Sequence, residues 1–360
     1  MRLKRLEQWW RTLWIRLLVA GMRRSADARP AWGTRPFRVL FLRHDRAGDM
    51  IVSTGVMRAI ARSYPTITMD VLASPANAAI LDANDYVGDV IVFDKRSLSR
   101  YLPTAIGLRR ARYDAVIDCM VTAPSVTTLL LVLASGAKHR IGIAGRGNDA
   151  AFNVLVPAAA AADAHMIDRI ADLAQAFDIV LDADARHPVL ELTPAERARA
   201  ESVWDSPPAT RRVLINVSAG TSERLWGDDN YVAVMRHLRA REPATTFAII
   251  AAPSERERGE RIARGGGGAF VPTPSIRDAL ALVATADFVL TPDTSIAHAV
   301  SAFQKPSVAI YTRGKSERWG LYGAIGRNVE HSEPTLETLP VDRVIEAIDQ
   351  VFARPLVTRD

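Results

Sequence analysis

Two apolar runs of the same design constrain the fold more than any other feature of this chain. They are Phe37-Arg-Val-Leu-Phe-Leu42 and Arg212-Val-Leu-Ile-Asn-Val217. Each is short, breaks off into a loop of small and charged residues, and is followed by apolar residues at helical spacing. That is the pattern of a strand buried on both faces of a parallel sheet. Further strand patterns follow the first run at Thr68–Ala73, Val90–Phe93 and Ala115–Asp118, with helical patterns over Asn77–Leu81 and Ala105–Arg112 between them. The second run is followed by strands over Thr246–Ala251, Asp287–Leu290 and Ser307–Tyr311, and by helices over Tyr231–Arg241, Ser275–Thr285 and Ile296–Phe303. The glycine run Gly265–Gly268 reads as a flexible turn. Alternation of this kind predicts an α/β protein with parallel sheets under helices. A length of 360 residues suits two such domains. The expected boundaries are 37–180 and 208–340. Residues 181–207 form a connector with a short helix at 194–204, and 341–360 a closing helix and tail.

Charge is unevenly placed. The formal net charge is +6. Residues 1–24 hold seven Arg and Lys against Glu7 alone, so the rest of the chain is neutral. A nucleic-acid-binding body is therefore not implied. Leu3, Leu6, Trp10, Leu13, Trp14 and Leu17 share one side of a helix, and most of the basic residues fall on the other. That composition fits a helix lying in an anionic membrane surface or docked on a protein. Arg11 and Arg16 interrupt any membrane-spanning run. Residues 25–36 read as a linker. The single cysteine, Cys119, excludes an internal disulfide and a cysteine-based zinc site.

Ligands of parallel sheets bind beyond the carboxyl ends of strands. The loop Arg43-His-Asp-Arg-Ala-Gly-Asp49 occupies that place after the first strand. It lacks the GxGxxG fingerprint of a dinucleotide-binding turn, which disfavours an NAD enzyme. Asp49 at a helix mouth suits either a cap or a general base. Asp118 closes another strand of the same domain. Lys95, Arg96, Arg100, Arg109, Arg110 and Arg112 make either a solvated face or a site for an acidic acceptor. In the second domain, Ser218-Ala-Gly220-Thr permits close backbone approach to an anion, and Arg224 adds charge. Asp293-Thr294-Ser295 opens a helix, where free N–H groups favour phosphate, and His298 lies one turn further in. Ordinary capping and a surface histidine would also produce this last pattern.

Taken in order, these motifs resemble the bacterial heptosyltransferases of glycosyltransferase family 9, over residues 38–352. The anchors are Arg43-xxxx-Gly48-Asp49, Tyr113-Asp-Ala-Val-Ile-Asp118, Lys138-His-Arg-Ile-Gly142, Asn216-xxx-Gly220-xxx-Arg224-Leu-Trp226, Pro253-Ser-Glu255 and Thr291-Pro-Asp-Thr-Ser-xx-His298, running on to Lys305-Pro-Ser-Val-Ala-Ile310. The resemblance implies a GT-B fold. Two Rossmann-like domains would face one another across a cleft, with the final helix packing back on the first domain. It also implies Asp49 as general base, Arg224 at the donor phosphates and Glu255 at the nucleoside. Asp293 would lie at the donor sugar, the amides after it at phosphate, and His298 beside the leaving diphosphate. Ser218, Gly220, Thr294 and Ser295 complete the expected donor site. Arg43, Arg96, Arg100 and Asp118 make the expected acceptor site.

The implied reaction is inverting transfer of a heptose from ADP-heptose to the inner core, Kdo or heptose, of lipopolysaccharide. Neither loop carries a DxD-like metal motif, so no metal and no cofactor is expected. The expected partners are the nucleotide sugar, an acidic glycolipid and, through residues 1–24, the cytoplasmic face of the inner membrane. No nucleic acid is expected. The chain departs from the family pattern with Ser295 for glycine, Arg224 for lysine, Ala47 for Leu or Met, and Cys119-Met120 for Leu-Gln. Those changes leave open another nucleotide sugar or acceptor. A sugar-nucleotide 2-epimerase and a non-catalytic sugar-nucleotide-binding protein are the competing readings.

Overall fold

The computed structural model describes residues 29–158, 161, 163–204 and 210–352. The amphipathic segment 1–24 lies outside them. The chain divides into two compact units that meet between Arg186 and His187.

The first unit runs β1 (Phe37–Arg43), α1 (Ala47–Ile51), α2 (Thr54–Ser63), β2 (Ile67–Ala73), β3 (Val90–Val92), α3 (Leu98–Ala111), β4 (Ala115–Asp118), α4 (Val126–Ser135), β5 (His139–Ile143), β6 (Val154–Val156) and α5 (Met166–Ala171). All its strand pairings are parallel, in the order β3-β2-β1-β4-β5-β6. Val39 to Leu42 are wholly buried, which explains the unbroken apolar run: this central strand has helices on both faces. The helical pattern after β1 is broken into α1 and α2, and Asp49 falls in the first turn of α1. Helix α3 begins at Leu98, seven residues before the sequence pattern placed it. The inner residues Tyr101 and Leu108 fix it, Tyr101 lying edge-on to Phe93 at 5.0 Å. Residues 29–36 are not a free linker. Trp32 is buried, stacks on Phe177 at 4.4 Å and donates to the Ala176 carbonyl at 2.9 Å.

The second unit contains α6 (Pro194–Glu201), β7 (Arg212–Asn216), α7 (Asp228–Arg241), β8 (Thr246–Ile250), α8 (Arg256–Gly266), β9 (Ala269–Phe270), α9 (Ile276–Thr285), β10 (Phe288–Pro292), α10 (Ser295–Ala302), β11 (Ser307–Tyr311), β12 (Gly326–Glu330) and α11 (Val341–Phe352). Its sheet has the order β12-β11-β10-β7-β8-β9, the same winding as the first. The glycine run does not make a loose turn. Gly265 and Gly266 finish α8, and Gly267 caps it at φ +69°. Part of the segment read as a connector is fastened to this unit: Arg277 pairs with Glu196 at 2.6 Å, and Trp204 donates to Thr285 at 2.9 Å. The final helix, α11, packs into the second unit. Val344, Ala347, Ile348, Val351 and Phe352 belong to the core of the second unit, where Arg211 stacks on the Phe352 ring at 4.0 Å.

Each sheet reverses its winding between its first and fourth strands, β1 and β4 in one, β7 and β10 in the other. Loops leaving those strands diverge and open a crevice. Among the described residues no helix is long and apolar enough to cross a membrane.

Candidate active site

At the first crevice the central residue is Arg43, 2% exposed at the end of β1. Its Nε donates to the Asp49 carbonyl at 2.8 Å, and Nη1 to the Cys119 carbonyl at 2.7 Å. Nη2 donates to Asp49 Oδ1 at 3.3 Å, and Asp45 Oδ2 lies 3.4 Å from Nη1. One guanidinium therefore ties the loop after β1 to the loop after β4 and is shared by two carboxylates. The β1 loop is pinned from its other side as well. Asn77 donates to the Arg43 carbonyl at 2.9 Å, and Ser74 to the Asp45 carbonyl at 2.8 Å.

Asp49 does not cap its helix. Its carboxylate, with a fifth of its side-chain surface exposed, is held by Arg43 and still reaches solvent. The positions expected to touch an acceptor divide. Arg96 and Arg100 are exposed, but Arg43 and Asp118 are not. Asp118 is 6% exposed and accepts from the Met120 amide at 2.9 Å. Both are nearly buried, and each holds a loop: Arg43 through the Asp49 and Cys119 carbonyls, Asp118 through the Met120 amide. Burial also raises the Asp118 carboxyl to about 6 against the pull of Arg43. It lifts Asp45 to about 6 and the Cys119 thiol to about 11, and it lowers His44 to about 4. His44 shares a hydrogen bond with Thr128 at 3.1 Å. The sequence reading missed Asp45 and His44. Their signal was position: both lie in the loop that was singled out, between Arg43 and Asp49.

At the second crevice, Asn216 joins the two loops. Its amide donates to Thr291 and Thr294, both at 2.9 Å, and its carbonyl accepts from the Ser218 amide at 3.0 Å. Thr294 is the N-cap of α10 and accepts from the Ile296 amide at 3.3 Å. Ser218 accepts from the Ala252 amide at 2.8 Å, and Glu255 from the Ala219 amide at 3.2 Å. Gly220 adopts φ +71° with open space where a side chain would stand, so the backbone there is approachable. Arg224 pairs with the buried Asp293 at 3.0 Å and donates to its carbonyl. His298 is 4% exposed, with its ring centroid 5.8 Å from that of Trp319. It is not a surface histidine, because α10 turns that face onto the unit.

A pocket of about 350 Å³ opens here, walled by Asn216, Ser218, Gly220, Pro253, Thr294 and Ser295. Its far wall, Thr273 to Ile276 with Ala279, was missed in the sequence. The available signal was the capping box of Ser275 and Asp278, which marks a helix mouth. Among the described residues no cluster of His, Cys, Asp or Glu is arranged to hold a metal ion.

The family model for glycosyltransferase family 9 (heptosyltransferase) matches residues 104–343, two thirds of the chain. The protein belongs to glycosyltransferase family 9. It is thus a glycosyltransferase, and its two six-stranded parallel units are the Rossmann-like halves of the GT-B class. Solved structures agree on the fold. A family 9 glycosyl transferase from Veillonella parvula is 14% identical with a TM-score of 0.77, over 89% of this chain and 98% of that one. The ADP-heptose LPS heptosyltransferase II of E. coli is 18% identical at 0.69, over 87% and 98%. The E. coli heptosyltransferase WaaC, solved with ADP, is 20% identical at 0.68, over 87% and 99%. No curated protein matches the sequence.

Proposed function

We propose that this family 9 enzyme transfers a heptose from ADP-heptose to the inner core, Kdo or heptose, of lipopolysaccharide, inverting the anomeric carbon without a metal. The observation that carries the donor half is the pocket at the crevice of the second unit. It combines approachable backbone at Gly220 with a helix mouth at Thr294 and Ser295, and the Arg224 cation, held on Asp293, stands just before that mouth in the same unit. A helix mouth and a guanidinium are what a diphosphate needs. WaaC of E. coli, of the same family, was solved with ADP and with ADP-2-deoxy-2-fluoro heptose.

In this reading Asp49 accepts the proton of the acceptor hydroxyl as its oxygen bonds to the anomeric carbon. The carbon–oxygen bond to the diphosphate breaks on the opposite face, and ADP leaves. A positioned base contributes about 10²–10⁴-fold. Charge growing on the diphosphate is met by Arg224, by the amides opening α10 and by His298. Asp293 holds Arg224 and lies beside the donor sugar, and Glu255 addresses the nucleoside. Arg96 and Arg100 meet the acidic acceptor. Residues 1–24 hold the enzyme on the cytoplasmic face of the inner membrane, in the layer that contains the acceptor.

The test is turnover of ADP-heptose with an acceptor bearing Kdo, read as ADP release and as heptosylated product. ADP release without a heptosylated Kdo acceptor would remove the acceptor assignment. No binding of ADP by calorimetry would remove the donor assignment. A second reading, transfer from another nucleotide sugar, is favoured by Ser295, which lines the pocket at the position where the family pattern has glycine. A panel of UDP-, GDP- and ADP-sugars separates the two readings.

A further inference from the structure

Helix α3 presents an apolar stripe to solvent. Leu98, Leu102 and Ile106, one helical turn apart, are 84%, 69% and 42% exposed. Around that stripe, residues 95–112 hold Lys95, Arg96, Arg100, Arg109, Arg110 and Arg112 and no acidic residue. All six cations are exposed, and none appears among the ion pairs of the described residues. The packed neighbour α4 has no charged residue and exposes Leu130 and Leu133 by 41% and 39%. The body of the protein is electrically neutral, so this cationic concentration is local.

We infer that the exposed face of α3 is a membrane-docking surface, with Leu98, Leu102 and Ile106 entering the acyl boundary of an anionic leaflet and Lys95, Arg109, Arg110 and Arg112 lying among its headgroups. A flat helix with aliphatic side chains on its outer face and only Arg and Lys beside them has the composition of an interfacial helix. Each cation near an anionic leaflet adds about 1 kcal/mol of attraction. The other occupants fit less well. Residues 1–24 carry seven cations against Glu7 and would be repelled, as would the same face of a second copy. A protein interface of this size would be expected to centre on aromatic anchors. Here the one aromatic residue of the helix, Tyr101, is turned inward onto Phe93.

The inference concerns lipid and stands apart from the sugar chemistry, so its test contains no nucleotide sugar. The single native cysteine, Cys119, is buried and its thiol is pushed up to about 11, so an introduced surface cysteine can be labelled selectively. The full chain carrying Leu102→Cys, labelled with an environment-sensitive fluorophore, is mixed with vesicles of phosphatidylglycerol and phosphatidylethanolamine. A parallel label at Arg236→Cys, exposed on α7 of the other unit, reports the bound protein as a whole. The expected result is a blue shift at position 102 alone. The shift is absent on pure phosphatidylcholine and reversed by 0.5 M salt. Leu102→Glu with Ile106→Glu in the full chain should weaken partitioning at least ~10-fold while leaving ADP binding intact. Vesicle-bound protein whose label at 102 stays in water would overturn the inference. So would a blue shift without vesicles, which would assign the face to another part of the chain or to a second copy.

Discussion

Replacing Asp118 by asparagine should stabilise the first unit at neutral pH. Asp45, Asp49 and Asp118 all stand in the field of the single buried Arg43, so negative charge is in excess there. Burial lifts the Asp118 carboxyl from its ordinary 3.8 to about 6. A carboxyl raised on folding binds its proton more tightly in the native state. Its ionisation therefore costs no stability below 3.8, an increasing amount as pH climbs, and the full amount above about 6. One pH unit corresponds to about 1.4 kcal/mol, so the gap is worth ~3 kcal/mol at most. Asparagine keeps the shape and an oxygen for the Met120 amide, 2.9 Å away, and removes the charge. The expected gain is about 1–3 kcal/mol at pH 7.5, and smaller at pH 5. The assay is the urea midpoint, read by pulsed hydrogen exchange of peptides covering β1 and β4 at both pH values. A variant no more stable than the parent at pH 7.5, or a gain that grows on acidification, would refute the reasoning. The acceptor KM should not move, because Asp118 is buried. A large rise would restore it to the acceptor site.

Asp49→Asn should lower turnover at least ~10²-fold with ADP affinity retained by calorimetry. Arg224→Ala should weaken ADP binding by about 1.5–3 kcal/mol, because it removes a charged donor and leaves the Asp293 carboxylate buried without that partner. His298→Ala should reduce kcat more than it raises the donor Kd, since charge on the leaving diphosphate develops late. Ile348→Ala should destabilise the second unit by about 2–5 kcal/mol in a urea titration, placing the final helix in that core. EDTA should leave product formation unchanged, with Arg224 and helix-terminal amides supplying the charge a metal would supply.

What could be read from sequence followed burial. Strands β1, β7 and β10 are covered on both faces, so their apolar runs are unbroken and stood out. β3, β9 and β12 are short or half-exposed, and β9 and β12 left no run to find. Helix α4 also escaped. Its sequence VTTLLLVLAS is apolar all round, because its outward face carries leucines where a soluble helix has charges. At the site, sequence gave the loops and their charged residues. It could not give depth. Arg43 was expected at the acceptor and His298 beside the diphosphate or at the surface, but both are buried because the loops around them fold inward: Asn77 draws the Arg43 carbonyl in, and α10 turns His298 onto the unit. Asp45 remained invisible as chemistry, because only the geometry of Arg43 shows that one cation serves two carboxylates.

The strand order also dictates how the protein is made. In each sheet the strand that leaves the ribosome first becomes a central one, and the sheet grows outward on both sides of it. β1 finds β2 as soon as residue 73 emerges, but its other edge stays open until β4 arrives. At translation rates of 5–20 residues per second, the interval between Arg43 and Cys119 lasts about 4–15 s. Throughout that time Leu40 to Leu42 present a bare strand edge, and Arg43 lacks the carbonyl that will fix it. A nascent chain paused in this window is the species most exposed to wrong pairing. The loop after β1 closes only when Cys119 docks beside β1, so a correctly placed Asp49 also certifies that the centre of its sheet has assembled.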